Sequence, residues 1–205
     1  MSLFITFEGI DGSGKSTQAK LLHEALLALG VKSILTREPG GTKLAEAIRS
    51  LLLGDGGVDD PLTEMLLLSA ARRDHVNKLI IPSIEQGTVV ISDRFLDSSL
   101  VYQGYVKGLA LDKLEDVSKS AIGSFSPNLT FLVDLPVDIA MERVTSRFGE
   151  KNIYDSSSRS FHEKIRAGFL ELAKQNSKRF CVLDGSVSQE ELHKKVLDVY
   201  KQLKN

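Results

Sequence analysis

A single cysteine, Cys181, is all the chain offers for sulfur chemistry. One thiol makes no internal disulfide and no cysteine-rich zinc site, and it suits a reducing compartment. Lodged in Phe180-Cys181-Val182-Leu183, it reads as a small apolar residue of a strand. Net charge is scarce too: 26 Lys and Arg oppose 27 Asp and Glu, for a formal total of −1. Without a basic field or a polybasic tail, nucleic acid and membrane surfaces are not expected partners. No apolar run approaches the roughly twenty residues that cross a bilayer. The N-terminus enters a strand-like segment almost at once, leaving no room for a signal peptide. Nor is there an internal repeat or a low-complexity tract. The expectation is one cytoplasmic domain over 1–205, long enough to bury a good core.

What is there begins at residue 9. Gly9, Ile10, Asp11, Gly12, Ser13, Gly14, Lys15 and Ser16 form a complete G-x-x-x-x-G-K-[ST] loop, followed by Thr17. Leu3-Phe4-Ile5-Thr6-Phe7 before it is a β-rich apolar strand. After it, Ala19, Leu22, Leu26 and Leu29 recur at helical spacing. Strand, glycine loop and helix are what phosphate binding requires: backbone N–H groups ring a polyphosphate and the helix N-terminus adds partial positive charge. Lys15 would reach the outer phosphates, and the Ser16 hydroxyl would take a Mg²⁺ position. The pattern reads as a nucleoside triphosphate site.

Further strand-like runs lie at Ser33–Thr36, Thr88–Ser92, Leu129–Leu135 and Phe180–Leu183. Helical patterns fall over 15–29, 42–53, 61–86 with a break near Pro82, 112–122, 136–147, 159–174 and 188–203. Alternation of this kind predicts a three-layer α/β/α fold on a five-stranded parallel sheet. Val89-Val90-Ile91 and Phe131-Leu132-Val133 are near-continuous apolar, as strands covered on both faces should be. Ser188 and Glu191 form a possible capping box for the last helix, and Asp134 reads as a structural cap. The polar stretch 148–160 reads either as a lid over a bound nucleotide or as an ordinary connection.

Other motifs separate the classes that share this loop. A GTPase needs N-K-x-D, and Asn77-Lys78-Leu79-Ile80 has no aspartate; nor is there a D-x-x-G switch outside the loop itself. A motor ATPase would end a strand in an acidic pair, whereas Val90-Ile91-Ser92 leads into Asp93-Arg94. A small-metabolite kinase remains open on size alone. Four segments then bear on the choice: Thr36-Arg37-Glu38-Pro39-Gly40-Gly41-Thr42, Arg72 within Ala70–Val76, Asp93-Arg94-Phe95 leading to Ser98-Ser99-Leu100-Val101-Tyr102-Gln103-Gly104, and F-x4-R-x2-F-L-x-L-A over Phe161–Ala173. With the glycine loop, they closely resemble the thymidylate kinase family, bacterial in type, from Phe4 to about Ala173.

The resemblance implies a P-loop kinase that phosphorylates dTMP to dTDP with ATP and Mg²⁺, a step toward dTTP, as a homodimer; the alternatives are a P-loop kinase of another nucleoside or nucleotide acceptor and a non-catalytic nucleotide-binding regulator. Phosphoryl transfer between two anions needs clustered cations, and Lys15, Arg94 and a lid arginine would supply them. Arg94 would bind the dTMP phosphate. Arg37, Glu38 and Pro39 would border the acceptor pocket, with Arg49 near the acceptor phosphate. Asp11 would face the 3′-hydroxyl of the deoxyribose and the metal region. Arg72, Ser99 and Gln103 would offer hydrogen bonds to the base, and Tyr102 would pack on the sugar.

Two departures stand out. Leu68 replaces a phenylalanine that commonly stacks on thymine. One branch of the family carries a loop arginine where this chain has Gly12, and the bacterial branch carries lid arginines where this chain has Asn152-Ile153-Tyr154-Asp155. The lid cation is therefore expected to be Arg147, with Arg159 second.

Overall fold

The computed structural model describes residues 2–54, 57–148 and 159–204, the side chains of Arg147, Phe148 and Lys204 excepted. Five parallel strands, β1 (Phe4–Glu8), β2 (Ser33–Arg37), β3 (Val89–Asp93), β4 (Leu129–Asp134) and β5 (Phe180–Asp184), lie in the order β2-β3-β1-β4-β5. Register pairs Ile5 with Ile91 and Leu129, so the most apolar segments are central. The parallel sheet expected from the sequence is present, each strand within a residue or so of its predicted bounds.

Alternation along β1 divides the interior. Ile5 and Phe7 join Ile91, Phe131 and Val133 beneath α1 (Lys15–Ala28) and α9 (Gln189–Lys204), which contribute Leu22, Leu26, Leu192 and Val196. Cys181 packs against this cluster, and burial pushes its thiol pKa up, which suits a structural residue. Phe4 faces the other way, with Val90 and Phe95. Also on that side, α7 (Val137–Phe148) and α8 (Arg159–Gln175) close over Ile10, Leu132, Ile165 and Phe169. Fully burying such a side chain contributes about 1.5–3 kcal/mol before chain entropy is counted.

The remaining helices flank the β2–β3 half. They are α2 (Lys43–Leu53), α3 (Pro61–His75), the π-helical turn Val76–Ile80, α4 (Ile81–Glu85) and α6 (Leu111–Ile122). Asp60 caps α3 by accepting from the Thr63 N–H at 2.7 Å. The expected irregularity near Pro82 appears as the wide π turn just before it; proline has no N–H to continue the ladder. Ser188 accepts the Glu191 N–H at 3.1 Å, one half of a capping box, while the Glu191 carboxylate turns to Lys195 at 2.9 Å.

Residues 96–106, outside the helical patterns read from the sequence, are helical: α5 (Leu96–Ser99) runs into a π-helical stretch, Leu100–Val106. Asp134 is not simply a cap, because its carboxylate accepts Arg166 Nε at 2.6 Å and Nη2 at 2.8 Å, tying α8 to the end of β4. Of the expected lid, residues 149–158 lie outside the described residues, and Ile153 with them.

Candidate active site

The glycine loop leaves the central strand β1 at the carboxyl ends of the strands, beside the point where β1 runs on to β2 on one side and β4 to β5 on the other. Open α/β sheets bind ligands at this position. Gly9 and Gly12 have φ of 144° and 82°. A Cβ on Gly9 would lie 2.6 Å from the Val133 carbonyl oxygen, and one on Gly12 2.4 Å from that of Ala140. Only glycine fits at either place. That explains one departure: α7 packs so closely on the loop that an arginine at position 12 has no room.

A cavity of about 300 Å³ opens along the loop, lined by residues 12–18 together with Arg143, Val144, Gly185, Val187, Gln189 and Leu192. Arg143, which the sequence reading passed over, donates through both Nη atoms to the Gly185 carbonyl at 3.2 Å. Its spacing on α7 was legible, but nothing in a helical pattern says that a cation lines this cavity. Ser16 and Thr17 are exposed on the first turn of α1. Lys15 is buried, with Nζ donating to Asp11 Oδ1 at 3.0 Å and directed to the Ile10 carbonyl at 3.4 Å.

Asp11 joins two halves of the site. The carboxylate oxygen that receives Lys15 also receives Arg94 Nη2 at 2.6 Å. Burial alone would raise the Asp11 pKa, but Arg94 and Lys15 outweigh it and hold the group well below the usual carboxylate range. Arg94 has φ +71°, the one described non-glycine residue in the left-handed region. Such backbone costs on the order of 1–3 kcal/mol and persists where its surroundings over-determine it. Here the Arg94 N–H donates to Phe7 O at 2.9 Å, its carbonyl accepts from the Ser92 hydroxyl at 2.7 Å, and Nη1 donates to Ser98 Oγ at 2.9 Å. The guanidinium also lies 5.4 Å from the Tyr102 ring centre. Burial pushes the Tyr102 hydroxyl up to about 12, so it remains a neutral donor at ordinary pH.

Beneath Arg94 lies Glu8, a residue the sequence reading did not single out. Phe4, Thr6 and Glu8 share one face of β1 and grow more polar toward the loop; Thr6 Oγ1 meets Thr130 Oγ1 at 2.8 Å. Glu8 accepts the Phe95 N–H at 2.8 Å and the Ser98 hydroxyl at 2.6 Å, so it aligns the segment that carries Arg94. Burial first, then the Asp97 carboxylate, push its pKa up to about 8 against the pull of Arg94. The sign of the pH dependence follows. The unfolded chain ionises Glu8 near pH 4.5 while the native state keeps the proton, so this contribution to stability is full below about 4.5 and is lost as pH rises through about 8. Glu8→Gln is accordingly expected to flatten the fall of Tm between pH 5 and 9, measured by thermal unfolding in overlapping buffers. Parallel Tm profiles for parent and variant would mean that Glu8 is ionised throughout.

The expected acceptor residues meet between α3 and the segment 95–103. Arg72, buried, donates from Nε to Glu38 Oε2 at 2.7 Å and from Nη2 to Ser99 Oγ at 2.9 Å. His75 Nδ1 lies 3.0 Å from the other Glu38 oxygen and its Nε2 lies 2.7 Å from Thr36 Oγ1. Glu38 is therefore engaged within the protein on both oxygens, as an anchor for Arg72. Arg72 Nη1, Gln103 Oε1 and Ser69 Oγ are buried without partners among the described residues. Buried orphans cost about 1–3 kcal/mol each, which makes them candidates for ligand contact. Leu68 is half-buried. Arg49 Nη1 donates to the Pro39 carbonyl at 3.0 Å. Arg37 stands apart, 55% exposed at the side chain and paired with Glu46 at 3.1 Å, so the structure does not bring it to this cluster.

The family model for thymidylate kinase matches residues 7–196. The chain belongs to the thymidylate kinase family. It is 43% identical to the thymidylate kinase of Thermoanaerobacter sp. (strain X514) over 199 residues, 97% of each chain. To that of Sulfurihydrogenibium sp. (strain YO3AOP1) it is 40% identical over 203 residues, 98% of each. The crystal structure of thymidylate kinase from Ehrlichia chaffeensis superposes with a TM-score of 0.79 at 39% identity, covering 98% of both chains. Membership places this P-loop α/β protein among the phosphotransferases, in agreement with the resemblance drawn from its motifs.

Proposed function

We propose that the protein transfers the γ-phosphoryl group of MgATP to dTMP. One observation carries the chemistry: Lys15 of the phosphate loop and Arg94 of a separate strand end converge on a single oxygen of Asp11. Two cations drawn from different segments, so close together, suit a reaction in which two phosphate groups must meet in line. The ATP polyphosphate follows the loop from Gly9 to Thr17, and the dTMP phosphate lies toward Arg94, with Arg49 nearby. Asp11 stands between them, where the acceptor sugar is placed; Tyr102 packs against that sugar.

The base is read by complementarity. Arg72 Nη1 offers a donor and Gln103 Oε1 an acceptor, which match the O4 acceptor and N3–H donor of thymine. Cytosine presents the opposite pair, an amino donor and a bare N3. The half-buried Leu68 supplies apolar contact near the 5-methyl group in place of an aromatic ring. Ser99, held by Arg72, fixes this arrangement.

For the metal, the residues present fit a hard cation that arrives with ATP. Ser16 offers an exposed hydroxyl, and Asp93 Oδ1 is buried without a partner among the described residues. Oxygen donors of this kind leave most of the coordination shell to phosphate and water, as Mg²⁺ prefers. When bound, the ion neutralises charge on the β- and γ-phosphoryl oxygens.

Arg147 is the proposed lid cation. It lies in the last turn of α7, and its side chain is outside the described residues. Support comes from its rival, since Arg159 is 61% exposed and engaged by Asp138 and Glu163, both at 2.9 Å. Cytoplasmic location and a homodimer complete the reading. Among the described residues no helix is long and apolar enough to cross a membrane, and Leu51 on α2 and Leu66 on α3 offer exposed apolar surface for a second copy.

A coupled assay of ADP release tests the whole. With MgATP, dTMP is expected to be the best acceptor, dUMP about tenfold poorer for want of one methyl group, and dCMP at least roughly a hundredfold poorer. Thymidine, with no phosphate for Arg94, should not turn over. A preference for dCMP or for thymidine would overturn the acceptor assignment, and no ADP release with any of them would overturn the activity.

A further inference from the structure

We propose that Glu64, outside the residues assigned above, determines which base the acceptor pocket takes by fixing the orientation of the Gln103 amide. This rests on the reading of Gln103 as a base contact. A glutamine amide has two ends of nearly equal size and opposite hydrogen-bonding character, so its partner decides which end faces a ligand. Glu64 Oε2 accepts from Gln103 Nε2 at 2.9 Å. The same oxygen accepts from Lys107 Nζ at 2.7 Å, which keeps the carboxylate in place. An ionised carboxylate only accepts. Turning the amide over would set Gln103 Oε1 against Glu64 Oε2, two acceptors in contact. The carbonyl oxygen is thereby held on the far side, buried and without a partner among the described residues.

The rest of the frame is equally fixed. Glu64 lies in the first turn of α3, where the helix dipole favours a carboxylate. Ser99 precedes Gln103 by four residues and receives Arg72 Nη2, so the donor from Arg72 and the acceptor from Gln103 lie along one side of the same segment. Glu64 acts through Gln103 and not on the substrate itself; it is a positioning residue that sets the polarity of the one that makes contact.

Exchanging the charges tests this. In Glu64→Lys with Lys107→Glu the ion pair is retained, but a donor now faces Gln103 and the amide is expected to turn its NH₂ toward the base. The ratio of kcat/KM for dTMP over dCMP should fall roughly thirtyfold or more, with the KM for ATP within about twofold of the parent. Glu64→Ala, which removes the acceptor without imposing a donor, should lower the ratio by about tenfold, chiefly through a higher KM for dTMP at little-changed kcat. Gln103→Ala serves as the reference. If it weakens dTMP while either folded Glu64 variant keeps the parental ratio within about threefold, the role of Glu64 is wrong and the base contact stands. If Gln103→Ala leaves dTMP unaffected, both fail, whereas turnover of dTMP by the parent tests the activity separately.

Discussion

Lys15→Ala is expected to lower kcat by about 10³-fold while leaving a folded, nucleotide-binding protein. Preorganised cations aimed at charge that develops in the transition state are worth a few kcal/mol each, and their loss falls on kcat more than on ground-state binding. Lys15 makes its described contacts inside the site, to Asp11 and to the Ile10 carbonyl. Its burial brings a second consequence. Truncation leaves a small void and removes a hydrogen bond from Ile10, so Tm should drop by a few degrees. Measurement of kcat at saturating MgATP and dTMP, beside thermal unfolding, separates the two effects. Turnover within tenfold of the parent would mean that the loop lysine does not meet the transferred group, whatever happens to Tm.

The sheet was legible because its central strands are buried on both faces. Val89-Val90-Ile91 and Phe131-Leu132-Val133 admit no helical stripe and no polar side. The helices α8 and α9 were legible for the complementary reason, an apolar stripe on a charged surface. Residues 96–106 carried no such stripe. Ser98, Ser99, Gln103 and Gly104 interrupt it, and the wide π turn answers to what packs around it, including Leu114 beside Gly104 and Tyr105 and Val101 beside Gly168. Tertiary contact set that segment, so periodicity had nothing to report.

The site divides in the same way. The phosphate loop is contiguous, and its glycines and lysine were read directly from residues 9–16. The acceptor frame spans long separations: Glu38 meets Arg72 and His75 across 34 and 37 positions. Sequence motifs named Glu38 and Arg72 but put both toward substrate, whereas Glu38 is engaged within the protein and His75 completes it. A buried glutamate at the end of an apolar strand was the available sign for Glu8. That sign is weak, because a strand-end carboxylate is usually solvated.

Arg94→Ala is expected to reduce kcat/KM for dTMP by about 10³-fold, beyond what one phosphate contact supplies. A charge-assisted bond to phosphate accounts for roughly ten- to a hundredfold. Arg94 also bears on the donor side, because Asp11 receives both Arg94 and Lys15. Without the guanidinium, Lys15 alone holds the Asp11 carboxylate, and the position of the phosphate loop against the acceptor loosens. The KM for dTMP should therefore rise most, kcat should fall as well, and the KM for ATP should change by no more than a few-fold. Alanine at a φ of +71° is also strained, as arginine is, so the substitution brings no backbone relief. Arg94→Lys separates charge from shape. Lysine keeps the positive charge but cannot reach Ser98 and Asp11 together as the fork does at 2.9 and 2.6 Å. It is expected to recover part of the KM for dTMP and little of kcat. Equal losses in the KM values of both substrates after Arg94→Ala would instead make Arg94 a structural tie of the phosphate loop, and the dTMP phosphate would have to be held by Arg49.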